Sequence, residues 1–307
     1  MTNTDVLDKE MLSEFITEHR LPAEFADTAT RFFLYFALQL PEFRSGDIPL
    51  FLGINGAQGT GKSTLASFIK IATSALLEWN VAVLSIDDFY YTLAERIALA
   101  DAVHPLLRTR GVPGTHDTKL LAETIVQLMQ AGPGDEIPLP RFDKATDDRK
   151  RSSDWPVVSG PLDLVILEGW CVGSRAQSSQ ELDHPINEFE RQHDVDGRWR
   201  RLVNEKLSTD YAPVFRQLDV LAFLRVPDFD CIHRWRQEQE DKLAASADAG
   251  SKGLMSEAEV RAFIQHFERL TQANLDTLQE VADVVFELNT EHAVVAVTST
   301  ATPDPQH

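Results

Sequence analysis

Residues 50–63 read Leu-Phe-Leu-Gly-Ile-Asn-Gly-Ala-Gln-Gly-Thr-Gly-Lys-Ser, an apolar run that enters a glycine-rich turn and leaves it on Lys62 and Ser63. The last eight, Gly56, Ala57, Gln58, Gly59, Thr60, Gly61, Lys62 and Ser63, satisfy the G-x-x-x-x-G-K-[S/T] pattern of a phosphate-binding loop. Glycines let the backbone approach a phosphate closely, and the N–H groups at a helix start supply donors and a favourable dipole. The spacing assigns Lys62 to the β- and γ-phosphates of ATP and the Ser63 hydroxyl to Mg²⁺, with Thr64 next along the helix.

Outward from this loop, apolar runs and helical stretches alternate. Residues 48–54 and 81–86 predict strands, the second ending in Asp87-Asp88, and 62–79 predicts the helix between them. Residues 162–167 predict a third strand, ending in Glu168-Gly169, 220–226 a fourth that stops at Pro227, and 283–288 a fifth. Near-continuous apolar strands alternating with helices imply an α/β fold, a doubly wound parallel sheet of the P-loop NTPase type covered on both faces. Ligands of such sheets bind at the C-terminal strand edges, where all three chemical clusters fall.

Around that core, residues 1–45 read as an N-terminal helical extension, broken at Pro22 and Pro41, with Phe15, Phe25, Phe32, Phe33, Tyr35 and Phe36 near helical spacing. Residues 46–297 form the phosphate-binding domain, with a lid over about 227–253 in which 244–253 is a polar connection. A helix from Glu257 is signalled by a capping box, Ser256 with Glu259, and by a core stripe of Val260, Phe263, Ile264, Phe267 and Leu270. Residues 298–307 read as a disordered tail.

A carboxylate at a strand tip facing a γ-phosphate can take a proton from an attacking hydroxyl or hold Mg²⁺ through water, and Asp87 and Asp88 can divide those tasks. Asp88 can equally cap the following helix. Glu168 stands where a second acid helps hold the metal.

The chain has 48 acids against 29 Lys and Arg, a net charge of −19, which excludes sequence-independent nucleic-acid binding and anionic membrane surfaces. Its cations gather in islands: Arg108 and Arg110; Arg141, Lys144, Arg149, Lys150 and Arg151; Arg198, Arg200 and Arg201; Arg234 and Arg236. Such islands suit a small anionic partner, although each can instead pair with surface acids. His116 beside Asp117 suits either a substrate contact or a structural role. Two distant cysteines, a polar N-terminus and the absence of a run of about 18 apolar residues point to a cytoplasmic protein. Nothing in the sequence decides for or against an oligomer.

With these residues assembled, the chain resembles the glycerate kinase family of plant D-glycerate 3-kinase and its fungal and bacterial relatives, near uridine kinase, phosphoribulokinase and pantothenate kinase. The likeness runs from about residue 50 to 288 and rests on DDFY, RGVPGTHD, LPRFDKATDDR, EGWC, GRWRRLVN and WRQEQE in family order. It implies ATP-dependent phosphorylation of a hydroxyl on a small metabolite, D-glycerate foremost. Another acceptor (a nucleoside, sugar or pantothenate-like acid) or a non-catalytic ATP-binding regulator stand as alternatives. It implies Asp87 as the base, also close to the metal with Ser63 and Glu168, and Asp88 supporting the base or the metal. Asp88, Tyr90, Arg110, His116, Asp117 and Arg141 would face the acceptor, while Arg234 and Arg236 of a lid helix would close on the transferring phosphate. The segment 171–187 is longer and more polar than the plant pattern, which leaves the acceptor pocket open.

Overall fold

The computed structural model describes residues 8–246 and 257–300. Its main sheet comprises β1 (Leu50–Gly56), β2 (Val81–Ser85), β3 (Leu164–Gly169), β4 (Val220–Arg225), β5 (Val284–Leu288) and β6 (Val294–Ser299), in the order β6-β5-β4-β1-β3-β2. β1 to β5 run parallel, and β6 is antiparallel to β5. Every residue of β1 and β3 is buried, which explains why their sequences are apolar without alternation.

The sheet is packed between α1 (Lys9–Glu18), α2 (Leu34–Phe43) and α3 (Lys62–Leu77) on one face and α4 (Leu93–Ala102), α5 (Thr118–Gln130), α6 (Arg198–Lys206) and α8 (Glu257–Thr277) on the other, with α7 (Phe229–Ser246) beyond β4. Alternating residues of β1 feed the two cores: Leu50, Leu52 and Ile54 join Phe68, Phe286 and the N-terminal phenylalanines, whereas Phe51 joins Val165, Leu121 and Phe267. Parallel register aligns the functional ends. Glu168 sits opposite Ile54 on one side and Ser85 on the other, so β1, β2 and β3 finish at one edge.

Four expectations need correction. Pro41 does not break its helix: α2 continues to Phe43, because in the final turn a missing N–H removes a single bond. The helix expected to reach Trp79 stops at Leu77, where Glu78 turns left-handed. Thr298 and Ser299, expected in the tail, pair with Val285 and Val284 as the end of β6. Ala244 to Ser246, expected in the polar connection, belong to α7; the rest of that connection, Ser256 of the capping box and 301–307 lie outside the described residues. No helix among the described residues is long and apolar enough to cross a membrane.

Candidate active site

At the shared strand edge a cleft of about 1000 Å³ opens, walled on one side by Gln58, Gly59, Lys62 and Ser63 and on the other by Asp87, Asp88 and Lys144. The loop between β1 and α3 is held open by its glycines: Gly59 and Gly61 adopt φ of 84° and 88°, where a side chain would be strained. Gly61 is also the N-cap of α3 and carries no side chain to bond the first-turn N–H groups. A helix start without a side-chain cap, facing a cleft, leaves N–H donors that can hold an anion. Lys62 Nζ donates to Ala57 O at 2.9 Å, and Thr60 Oγ1 to the same carbonyl at 2.9 Å. Burial pushes the Lys62 ammonium below its ordinary pKa, against the opposing pull of Glu168 and Asp87. Ser63 Oγ donates to Glu168 Oε1 at 2.9 Å, joining two hard oxygen donors from α3 and β3.

Asp87 and Asp88 lie on the single 3₁₀ turn Ile86–Phe89 that follows β2, and their environments diverge. Asp87 Oδ1 accepts from Tyr90 OH at 2.8 Å and Oδ2 from Lys144 Nζ at 2.8 Å. Burial alone would raise this carboxyl, but the Lys144 charge and the bonds from Lys144 and Tyr90 together hold it below the ordinary range. Asp88 accepts from the Phe142 N–H at 3.0 Å and from Arg141 at 3.3 Å, yet burial outweighs them and raises its pKa. The phenol of Tyr90 is pushed well above its usual range by burial and by Asp87.

The far wall is a small hairpin, Phe142–Asp143 paired with Asp148–Arg149, whose turn carries Lys144 at one end and Asp147 at the other. Asp147 pairs with Arg110, which lines the cleft, and at 3.1 Å with the fully buried Arg96. Arg108, Arg236, Trp170, Phe263 and Phe267 complete the wall.

Other expected residues stand behind that wall. His116 is buried, stacks on Tyr90 at 4.3 Å and lies 2.7 Å from Tyr211 OH; burial pushes its pKa down to about 4, so it is neutral. Asp117 caps α5 by accepting from the Leu120 N–H and pairs with Arg149 at 3.3 Å. Arg141 anchors Asp88 from outside the cleft wall, and Arg234 donates to Cys231 Sγ at 3.0 Å rather than reaching the cleft. The arginine island at Arg200 is structural: Arg200 is buried against Asp194 at 2.9 Å, while Arg201 bonds the Asp196 carbonyl. The long segment 171–187 does not line the cleft; Asn187 and the nearby Glu190 fasten to α8 through Gln265 and Arg269. Sequence reasoning missed Asp147, Arg96, Trp170 and the cleft-facing roles of Phe263 and Phe267. The stripe of α8 carried the last two, read as core alone.

No family model matches the chain. The uncharacterized kinase mug58 of Schizosaccharomyces pombe is 36% identical over 228 residues, covering 71% of this chain and 78% of that protein. Chloroplastic D-glycerate 3-kinase of Arabidopsis thaliana is 30% identical over 251 residues, covering 79% of this chain and 52% of that protein. Among solved structures, D-glycerate 3-kinase from Cryptococcus neoformans superposes with a TM-score of 0.71 at 26% identity, over 91% of this chain and 99% of that one.

Proposed function

The chain belongs to the family of small-molecule P-loop kinases that includes D-glycerate 3-kinase, and from that premise we propose that it transfers the γ-phosphate of ATP to a hydroxyl of D-glycerate. The supporting observation is the meeting in one cleft of Lys62 and Ser63, at the α3 start, with the Asp87 carboxylate and its cations. D-glycerate as the acceptor is taken from the names of two relatives, and the cationic wall suits its carboxylate.

In this reading the α3 N–H groups and Lys62 grip the β- and γ-phosphates. Asp87, ionised at neutral pH because its pKa is held down, accepts the hydrogen bond of the acceptor hydroxyl. As the hydroxyl oxygen bonds to the γ-phosphorus, the bond from that phosphorus to the β–γ bridging oxygen breaks, ADP leaves with the electron pair, and the hydroxyl proton passes to Asp87. A weak base is adequate, since in a loose transition state the nucleophile gains little charge until late. Asp88 orients the hairpin through the Phe142 N–H, and Tyr90 and His116 hold Asp87 in place. Arg236, on the cleft side of α7, offsets charge on the equatorial oxygens.

Ser63 and Glu168 offer the hard oxygens that Mg²⁺ prefers. When bound there, the ion would neutralise phosphate charge. Asp87, expected beside it, instead bonds Tyr90 and Lys144.

Coupled ADP release over D-glycerate, L-glycerate, uridine, a hexose and pantothenate tests the proposal. D-glycerate should give the highest kcat/KM; no response to it would remove glycerate as the acceptor.

A further inference from the structure

Of the cations that line the cleft, Lys144 and Arg110 are each held by a carboxylate that keeps another partner. Lys144 takes one oxygen of Asp87 while Tyr90 OH occupies the other at 2.8 Å. Arg110 pairs with Asp147, which retains Arg96 at 3.1 Å. Withdrawing Arg110 therefore leaves Asp147 its ion pair with Arg96, and withdrawing Lys144 leaves Asp87 its hydrogen bond from Tyr90. Neither carboxylate is left without a partner, which is what normally makes a partly buried pair expensive to open.

The mobile and the fixed parts are also separated. The Lys144 side chain is 62% exposed on a long stem, and Arg110 is 30% exposed. Arg96 is 0% exposed and donates to the carbonyls of Tyr91, Arg108 and Asp147 at 3.2, 2.7 and 2.6 Å, so it ties three segments of the wall together. Asp147 sits at φ 56°, a left-handed conformation that Asp tolerates and that turns it toward both arginines. The contacts of Arg96 that tie the wall together involve neither Lys144 nor Arg110.

We propose that Lys144 and Arg110 together bind the carboxylate of the acceptor, each exchanging its resident carboxylate for the substrate's as the reacting hydroxyl takes the place of Lys144 on Asp87. The inference rests on the reading of the acceptor as a hydroxy acid, and it narrows the class. Lys144 and the reacting hydroxyl take the same oxygen of Asp87 in turn, so a carboxylate close along the acceptor to that hydroxyl is the one Lys144 meets as it leaves Asp87. A short hydroxy acid satisfies this. A neutral polyol or nucleoside offers Lys144 no replacement and leaves the Lys144–Asp87 pair closed over the base. Lys144 and Arg110 are substrate-binding residues here; Asp147, held by Arg96, positions Arg110.

The test compares D-glycerate with neutral D-glyceraldehyde in the wild type, Lys144→Met, Lys144→Arg and Arg110→Met, with ATP and Mg²⁺. The ratio of kcat/KM for the acid over the aldehyde should fall about 10- to 100-fold in each Met variant, chiefly through KM of the acid, with KM for ATP held. Lys144→Arg should recover most of the ratio. Equal losses on both acceptors, or a loss in kcat alone, overturns the inference. A wild type that prefers the aldehyde overturns it together with the hydroxy-acid reading. A wild type that uses a different hydroxy acid removes glycerate alone, and the same ratio measured on that acid then decides.

Discussion

Asp87 and Asp88 are neighbours with opposite surroundings: one bonded to Lys144 and a tyrosine with its pKa lowered, the other tied to the backbone of the hairpin with its pKa raised. Asp87→Asn should therefore lower kcat at least about 100-fold while ATP affinity holds, since the amide keeps the shape of the carboxylate but cannot take the proton. Asp88→Asn should act mainly by raising KM for the acceptor, because it loosens the wall. Steady-state kinetics on both variants checks the assignment, and the opposite pattern would move the base to Asp88. A second residue-scale effect lies away from the cleft. His266 is packed among Phe189, Trp199 and Phe267, and burial holds its pKa at about 4, against about 6.5 when unfolded. Between those values the unfolded chain binds the extra proton, so stability falls as pH falls. His266→Phe should lose about 2 kcal/mol less than the wild type between pH 7 and pH 5 in urea unfolding; parallel losses would mean a histidine already charged in the fold. The acids and Lys62 were legible because a strand end and a glycine loop are local signals. The bond from Lys144 to Asp87 spans 57 residues, and the burial of Arg200 beside Asp194 depends on packing, so neither leaves a mark in local spacing.

Elements carry the next level. Five parallel strands could be read because each is a short apolar run bounded by turn residues, and their ends came out within about two residues. β6 escaped because it is an exposed edge strand whose identity comes from pairing with β5. On α7 the two arginines expected to act alike are separated by helical geometry. Arg236 lines the cleft beside Phe263, whereas Arg234 bonds Cys231 one turn back along the same helix. Arg236→Ala should lower kcat about tenfold or more with ADP affinity little changed, and Arg234→Ala should stay within about twofold of wild type. Stopped-flow ADP binding set beside turnover checks this. Equal damage from both would mean that α7 turns its other face to the nucleotide during the reaction.

For the whole molecule, the N-terminal helices complete the core of one sheet face. Phe15, Phe33, Leu34, Phe36 and Leu40 are all buried, with Phe33 and Phe36 each 5.5 Å from Phe286 of β5. Burial of such side chains contributes about 1.5–3 kcal/mol each before the cost of ordering the chain, and net stabilities are only about 5–15 kcal/mol, so losing five is a large fraction of the margin. Deleting residues 1–43 should abolish cooperative thermal unfolding. A truncated chain that still melts sharply near the full-length temperature would show those contacts to be dispensable. The net charge of −19 takes on meaning at the same scale: in an acidic molecule, Lys62, Lys144, Arg108, Arg110 and Arg236 converge on one cleft. The proposed function has phosphate moving from ATP to an acceptor between Lys62 and Asp87. Phosphorus NMR of the protein with ATP, Mg²⁺ and D-glycerate observes that movement directly. A phosphomonoester signal should grow in step with ADP in the wild type and be lost with Lys62→Ala; ATP left intact, or broken down to inorganic phosphate with no ester formed, would contradict the account.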